Sequence, residues 1–214
     1  GCAVDMTSSL VKNATSDKTV FKNERINQAL SSEDGEKLVF IGAEYHYIFD
    51  YSEIEFSEFL KSREWIWENL KGGDFEVDKN GKLSGQLYFM IGSEQKKLWG
   101  DSPFSKLWQY QNVRNLCPKW VMEPGVFCTK FQANDGVRYK AGNFKLPESI
   151  ASNNLPNSNF TIQETVSPSL TEKSALLLTP VTVLADGALI LGNIILFSPV
   201  LITCPFNTKC NISH

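Results

Sequence analysis

The feature that most constrains this chain is a series of turn signals that cut its middle into short apolar runs. Asn80-Gly81 separates the runs 75–77 and 83–91, and Asn-Gly supplies the two positive-φ residues that a tight hairpin turn demands. Pro124-Gly125 and Asn134-Asp135-Gly136 repeat the punctuation between 120–122, 126–131 and 137–140. Turns at these intervals predict an antiparallel meander. Upstream, 37–50 reads as a strand in which Tyr45, Tyr47 and Phe49 share one face, with His46 on the other.

Between these strand regions, Ile54, Phe56, Phe59, Leu60, Ile66 and Trp67 fall near helical spacing and Gly72-Gly73 follows them, so 52–70 is expected to be an amphipathic helix. Ser, Asn, Pro and Thr dominate 150–169, which reads as an exposed connection. The segment 175–204 is almost continuously apolar, broken by Pro180, Asp186, Gly187, Gly192, Asn193 and Pro199. A membrane-spanning helix needs about 20 apolar residues, and an Asp near its centre costs about 2.5–3.5 kcal/mol. Two short buried elements packed on the sheet are therefore expected in preference to a span. The expected fold class is α+β: an antiparallel sheet, the packed helix 52–70 and an apolar C-terminal segment, in one domain over 20–214 behind a flexible tether, 1–19.

The chain carries 21 Lys and Arg against 24 Asp and Glu, a formal charge of −3. No basic excess exists to neutralise phosphates, which argues against a nucleic-acid partner. An acidity this small is ordinary solubility, though it also suits a basic protein partner.

Residues for chemistry are sparse. There is no G-x-S-x-G nucleophile elbow, and the only histidines are His46 and His214; a serine hydrolase needs the first and a well-placed base. His46 reads as a surface or core-edge residue, not as a base. No phosphate loop or dinucleotide fingerprint is present, and no cofactor, metal or catalytic set is expected. Glu53 with Glu55 and Glu64 with Glu68 read as solvated charges on the expected helix. Glu76, Asp78, Asn80 and Gly81 resemble the start of a calcium loop, but Leu87 stands where the closing bidentate Glu belongs. The hairpin explains that run better.

Setting Cys2 aside, Cys117, Cys128, Cys204 and Cys210 permit three pairings. Disulfides within 117–128 and 204–210 are favoured, because each closes a short loop containing a turn signal; a zinc site would want CxxC-like spacing or histidine companions. Trp99, Trp108 and Tyr110 lie in an irregular stretch, and such aromatics anchor protein interfaces because they bury much area for few rotatable bonds.

Gly1-Cys2, followed by a stretch rich in Ser, Thr, Asn, Asp and Lys, resembles the processed lipobox of a bacterial lipoprotein. The resemblance implies acylation at Cys2 and an envelope location. Ala3, where an Asp would retain the protein at the inner membrane of enteric bacteria, implies the outer membrane, facing the periplasm. Leu178, Thr179, Pro180, Val181, Thr182, Val183 and Asp186 are similar to a segment near the end of small Gram-negative envelope lipoproteins. Anchor, mild acidity, aromatic loops and the lack of a catalytic motif together suggest a non-enzymatic protein that binds another protein. An immunity lipoprotein neutralising a toxic effector, such as an injected lipase, is the sharpest form of that expectation. An envelope-assembly or structural lipoprotein that binds membrane components is the alternative.

Overall fold

The structure, a computed structural model, describes residues 17–61, 69–78, 80–91, 127–151, 155, 158–166 and 177–197 of the 214. Strands take up 64% of these and helices about 10%. The strands are β1 (Lys18–Ser32), β2 (Lys37–Gly42), β3 (Tyr45–Asp50), β4 (Leu70–Val77), β5 (Lys82–Ile91), β6 (Phe127–Lys140), β7 (Asn159–Val166), β8 (Val181–Val183), β9 (Leu189–Leu191) and β10 (Ile194–Phe197).

Seven of them close into a barrel in the order β2-β3-β6-β5-β4-β7-β1, with β1 pairing back onto β2. The α+β expectation is therefore corrected to an all-β barrel. Every barrel pairing is antiparallel except β4 with β7. Closure depends on β1, whose first half pairs with β7 and whose second half pairs with β2, the partners changing near a bulge at Ile26/Gln28. A bulge bends a strand and strengthens its twist, which lets one strand serve two neighbours.

The barrel interior is filled by aliphatic and aromatic side chains. Phe160 packs its ring against Phe40 and Phe75, each at 5.0 Å, and Tyr47 at 5.3 Å. At one end Phe56, Phe59 and Phe131 form the plug, with Phe56 and Phe59 each within about 6 Å of Phe131. In place of one continuous helix over 52–70, the described residues form a 3-10 turn, Tyr51–Glu53, and a helical turn, Ser57–Leu60, while 62–68 lie outside them. Phe56, in the left-handed region at φ 54, breaks the expected helix, and Leu70 already belongs to β4. The apolar residues at helical spacing face the barrel as its stopper, while Ile66 and Trp67 lie outside the described residues.

The single strand expected over 37–50 is instead a hairpin of β2 and β3, in which Tyr47 and Phe49 share the inward face. The β4–β5 hairpin turns at Gly81, φ 79, where Asp78 Oδ1 accepts the N–H groups of Asn80 and Lys82 at 2.7 and 2.9 Å. Asn134-Asp135-Gly136 makes no hairpin turn. It bulges within the continuous strand β6, so that Ala133 faces Gly85 and Gly136 faces Leu83. The expected connection 150–169 contains β7, with Phe160 and Ile162 buried in the barrel.

The described part of the C-terminal apolar segment, 177–197, carries a three-stranded meander, β8–β9–β10, attached to the end of β1. It replaces the two buried elements expected there. Val181, Leu189 and Leu196 cover Leu30, Val39 and Ile41 on the outer wall, together with Ile150 from a second helical turn, Glu148–Ala151, and build a second, smaller core. No helix among the described residues is long and apolar enough to cross a membrane.

The expected disulfides within 117–128 and 204–210 rest on cysteines of which only Cys128 is among the described residues. Cys128 is buried on the outer wall against Tyr88 and Met90, and Cys117, Cys204 and Cys210 lie outside the described residues.

Candidate functional site

Strand alternation gives the barrel two chemically distinct surfaces, an inner face that changes from aromatic to charged along its length and an outer wall. At the end opposite the plug, inward positions become polar. Glu24 on β1, Tyr45 and Tyr47 on β3, Arg138 on β6 and Glu164 on β7 converge there. Arg138 stands directly opposite Tyr47 in the β3–β6 ladder and so shares its inward direction. Its Nη2 lies 3.0 Å from Glu164 Oε1, and its Cζ lies 4.5 Å from the centre of the Tyr45 ring.

Glu24 performs a structural task at this mouth. Its Oε1 accepts the backbone N–H groups of Glu44 and Tyr45 at 2.7 and 2.8 Å, and its Oε2 accepts the Tyr47 hydroxyl. These bonds tie the β2–β3 turn to β1 where β1 parts from β2. Burial pushes the Tyr47 phenol far above its ordinary pKa, and the negative charge of Glu24 adds to the shift. It stays protonated and keeps donating. A side chain at Gly42 would collide with the Glu24 carboxylate, so this close approach requires glycine.

The outer wall over β7, β4, β5 and β6 carries an open groove of about 600 Å³. Asp74 and Glu76 on β4 supply carboxylates, Gln86, Gln132 and Gln163 supply amides, and Phe21 stands at its edge, 65% exposed. Tyr88 donates to Asp74 Oδ2 at 2.9 Å; burial first, and that hydrogen bond second, raise its pKa and keep it a donor. At Gly85 the Asp74 carbonyl occupies the space a Cβ would need, so β4 and β5 approach closely beneath the groove.

His46 lies on the outer wall, as its alternation with Tyr45 and Tyr47 indicates, but it is fully buried in the second core. Its Nδ1 is 2.6 Å from Thr179 Oγ1, its ring meets Phe144 edge-on at 4.6 Å, and burial lowers its pKa to about 4. Thr179 Oγ1 also accepts the Val181 N–H at 3.1 Å, and Thr179 N–H donates to the Lys140 carbonyl at 2.8 Å. His46 thus pins the segment leading into the meander, a packing task carried out away from solvent.

Of the residues singled out by sequence, Cys2, Trp99, Trp108 and Tyr110 lie outside the described residues. Among the described residues no cluster of three or more His, Cys, Asp or Glu is arranged to hold a metal. Sequence reasoning passed over Arg138, Glu24 and Glu164. No protein-family model, curated protein or solved structure matches the chain.

Proposed function

We propose that this protein is a lipid-anchored binding protein of the bacterial envelope, which acts by docking another protein on the outer wall of its barrel. Its sharpest form is an immunity lipoprotein that neutralises a toxic effector, such as a lipase injected by a neighbouring cell. The observation that carries the reading is the wall groove. A peptide segment offers backbone N–H and C=O groups and side-chain charges, and a groove lined by carboxylates and amides complements these, most of all in a segment bearing Lys or Arg. The exposed Phe21 ring at its edge supplies apolar area of the kind that anchors interfaces. The packed interior leaves the outside of the barrel as the broad surface on which a partner is received.

The resemblance of Gly1-Cys2 to a lipobox supports the envelope address. Fatty-acid labelling that is abolished by Cys2→Ser tests it. For the immunity role, the gene is deleted and the strain is grown alone and then beside a toxin-delivering competitor. Normal growth alone with selective killing in competition supports immunity. An envelope defect in monoculture supports the alternative, an assembly or structural lipoprotein. That second reading draws on Leu177 and Leu178, each at least 70% exposed beside β6, which suit an apolar membrane component.

A further inference from the structure

A guanidinium carries five N–H donors, and burying one without acceptors is costly. The Arg138 side chain is 1% exposed. Glu164 accepts from its Nη2, whereas Nε and Nη1 have no hydrogen-bond partner. The Tyr45 ring engages the face of the guanidinium, a contact that leaves its in-plane N–H groups unmet. Beside Arg138 lies a cavity of about 140 Å³, which Lys22, Glu24, Tyr45, Tyr47 and Ile162 also line.

The polar groups around this cavity differ in what they have left to offer. Glu24 is committed to two backbone N–H groups and the Tyr47 hydroxyl, which are neutral donors. Glu164 serves Arg138 and, at 3.9 Å, Lys22 as well. Two cations therefore share one carboxylate, and Lys22 Nζ also lies 5.7 Å from the centre of the same Tyr45 ring. What the cavity lacks is an acceptor for Arg138, and the cations beside it favour an acceptor carrying negative charge.

We infer that the mouth of the barrel is a binding site for a compact oxyanion, a small carboxylate or a phosphate, held by Arg138 and steered by Lys22. The aromatic edge of Tyr45 and the side chain of Ile162 give a carboxylate with a short apolar tail somewhere to rest. The site is separate from the wall groove, so its occupancy and partner docking can be measured independently.

The test titrates the whole protein with inorganic phosphate and, separately, with propionate, following heat and the Arg138 Nε–H resonance. The expected result is saturable binding of at least one probe, with movement of that resonance and several-fold weaker binding in Lys22→Gln. Saturation by propionate alone assigns the carboxylate class, and by phosphate alone the phosphate class. Lys22 is half exposed, so this variant keeps the fold even where Arg138→Gln fails to. The inference is overturned by any one of three results: neither probe saturating up to tens of millimolar, binding that leaves the Arg138 resonance unmoved, or binding of equal strength in Lys22→Gln.

Discussion

Arg138 on β6 and Glu164 on β7 meet at 3.0 Å although β5 and β4 lie between their strands, so this ion pair crosses the lumen of the barrel. Removing one member of a buried pair leaves the other without compensation, at a cost of about 3–5 kcal/mol when both are fully buried. Glu164 is 24% exposed, and Glu164→Gln is expected to cost about 2 kcal/mol after that screening. The double variant Arg138→Met with Glu164→Leu is expected to be more stable than Glu164→Gln. Urea midpoints of the three proteins check both outcomes.

His46 makes stability depend on pH. Its pKa falls from 6.5 to about 4 on folding because burial penalises the charged ring. The neutral form is favoured in the fold, so this contribution is complete above pH 6.5, declines as pH falls through that value, and is gone below about 4. Between pH 7 and 5 the loss is about 2 kcal/mol. His46→Leu is expected to flatten that part of the profile, which thermal melts of both proteins across the range would reveal.

Phe160 is the hub of the aromatic interior, in ring contact with Phe40, Tyr47 and Phe75. Phe160→Ala is expected to destabilise by about 3–5 kcal/mol, transfer and cavity terms combined. A loss below about 1 kcal/mol in chemical denaturation would mean that the interior is not packed as described.

Gly136 admits the Phe49 ring: a Cβ there would stand 2.6 Å from Phe49 Cδ1. Gly136→Ala is expected to cost about 1–3 kcal/mol by pushing Phe49 off its site, and Phe49→Leu in the same chain to recover part of it. Denaturation of the single and double variants measures the coupling.

How much of this could be read from the sequence varies by element. Asn80-Gly81 located the β4–β5 hairpin because only a few residue types satisfy its turn, and Tyr45, Tyr47 and Phe49 shared a face because strand periodicity is short-ranged. The closure of the barrel was hidden in β1 and β7, where Lys22, Glu24 and Glu164 face inward beside Ile26, Phe160 and Ile162. Charged inward positions at the mouth erase the apolar alternation by which strands are recognised.

Arg138 illustrates the same difficulty in the candidate site. Counting in twos from Phe131 and Ala133 points Arg138 outward, but the bulge at 134–136 shifts the phase by one residue and turns it into the barrel. Only the pairing with Tyr47 reveals it. The helix expected over 52–70 failed for a related reason: apolar residues at helical spacing also serve a short irregular stopper, and the left-handed Phe56 leaves no mark in the periodicity.

The most direct test of the wall-docking account is affinity capture from the protein's own cells with three baits: the wild type, a wall variant carrying Phe21→Ser and Glu76→Lys, and the mouth variant Lys22→Gln. The account predicts one stoichiometric protein held by the wild type and the mouth variant and lost from the wall variant. A partner held equally by the wall variant would contradict it, and would move the interface off the groove.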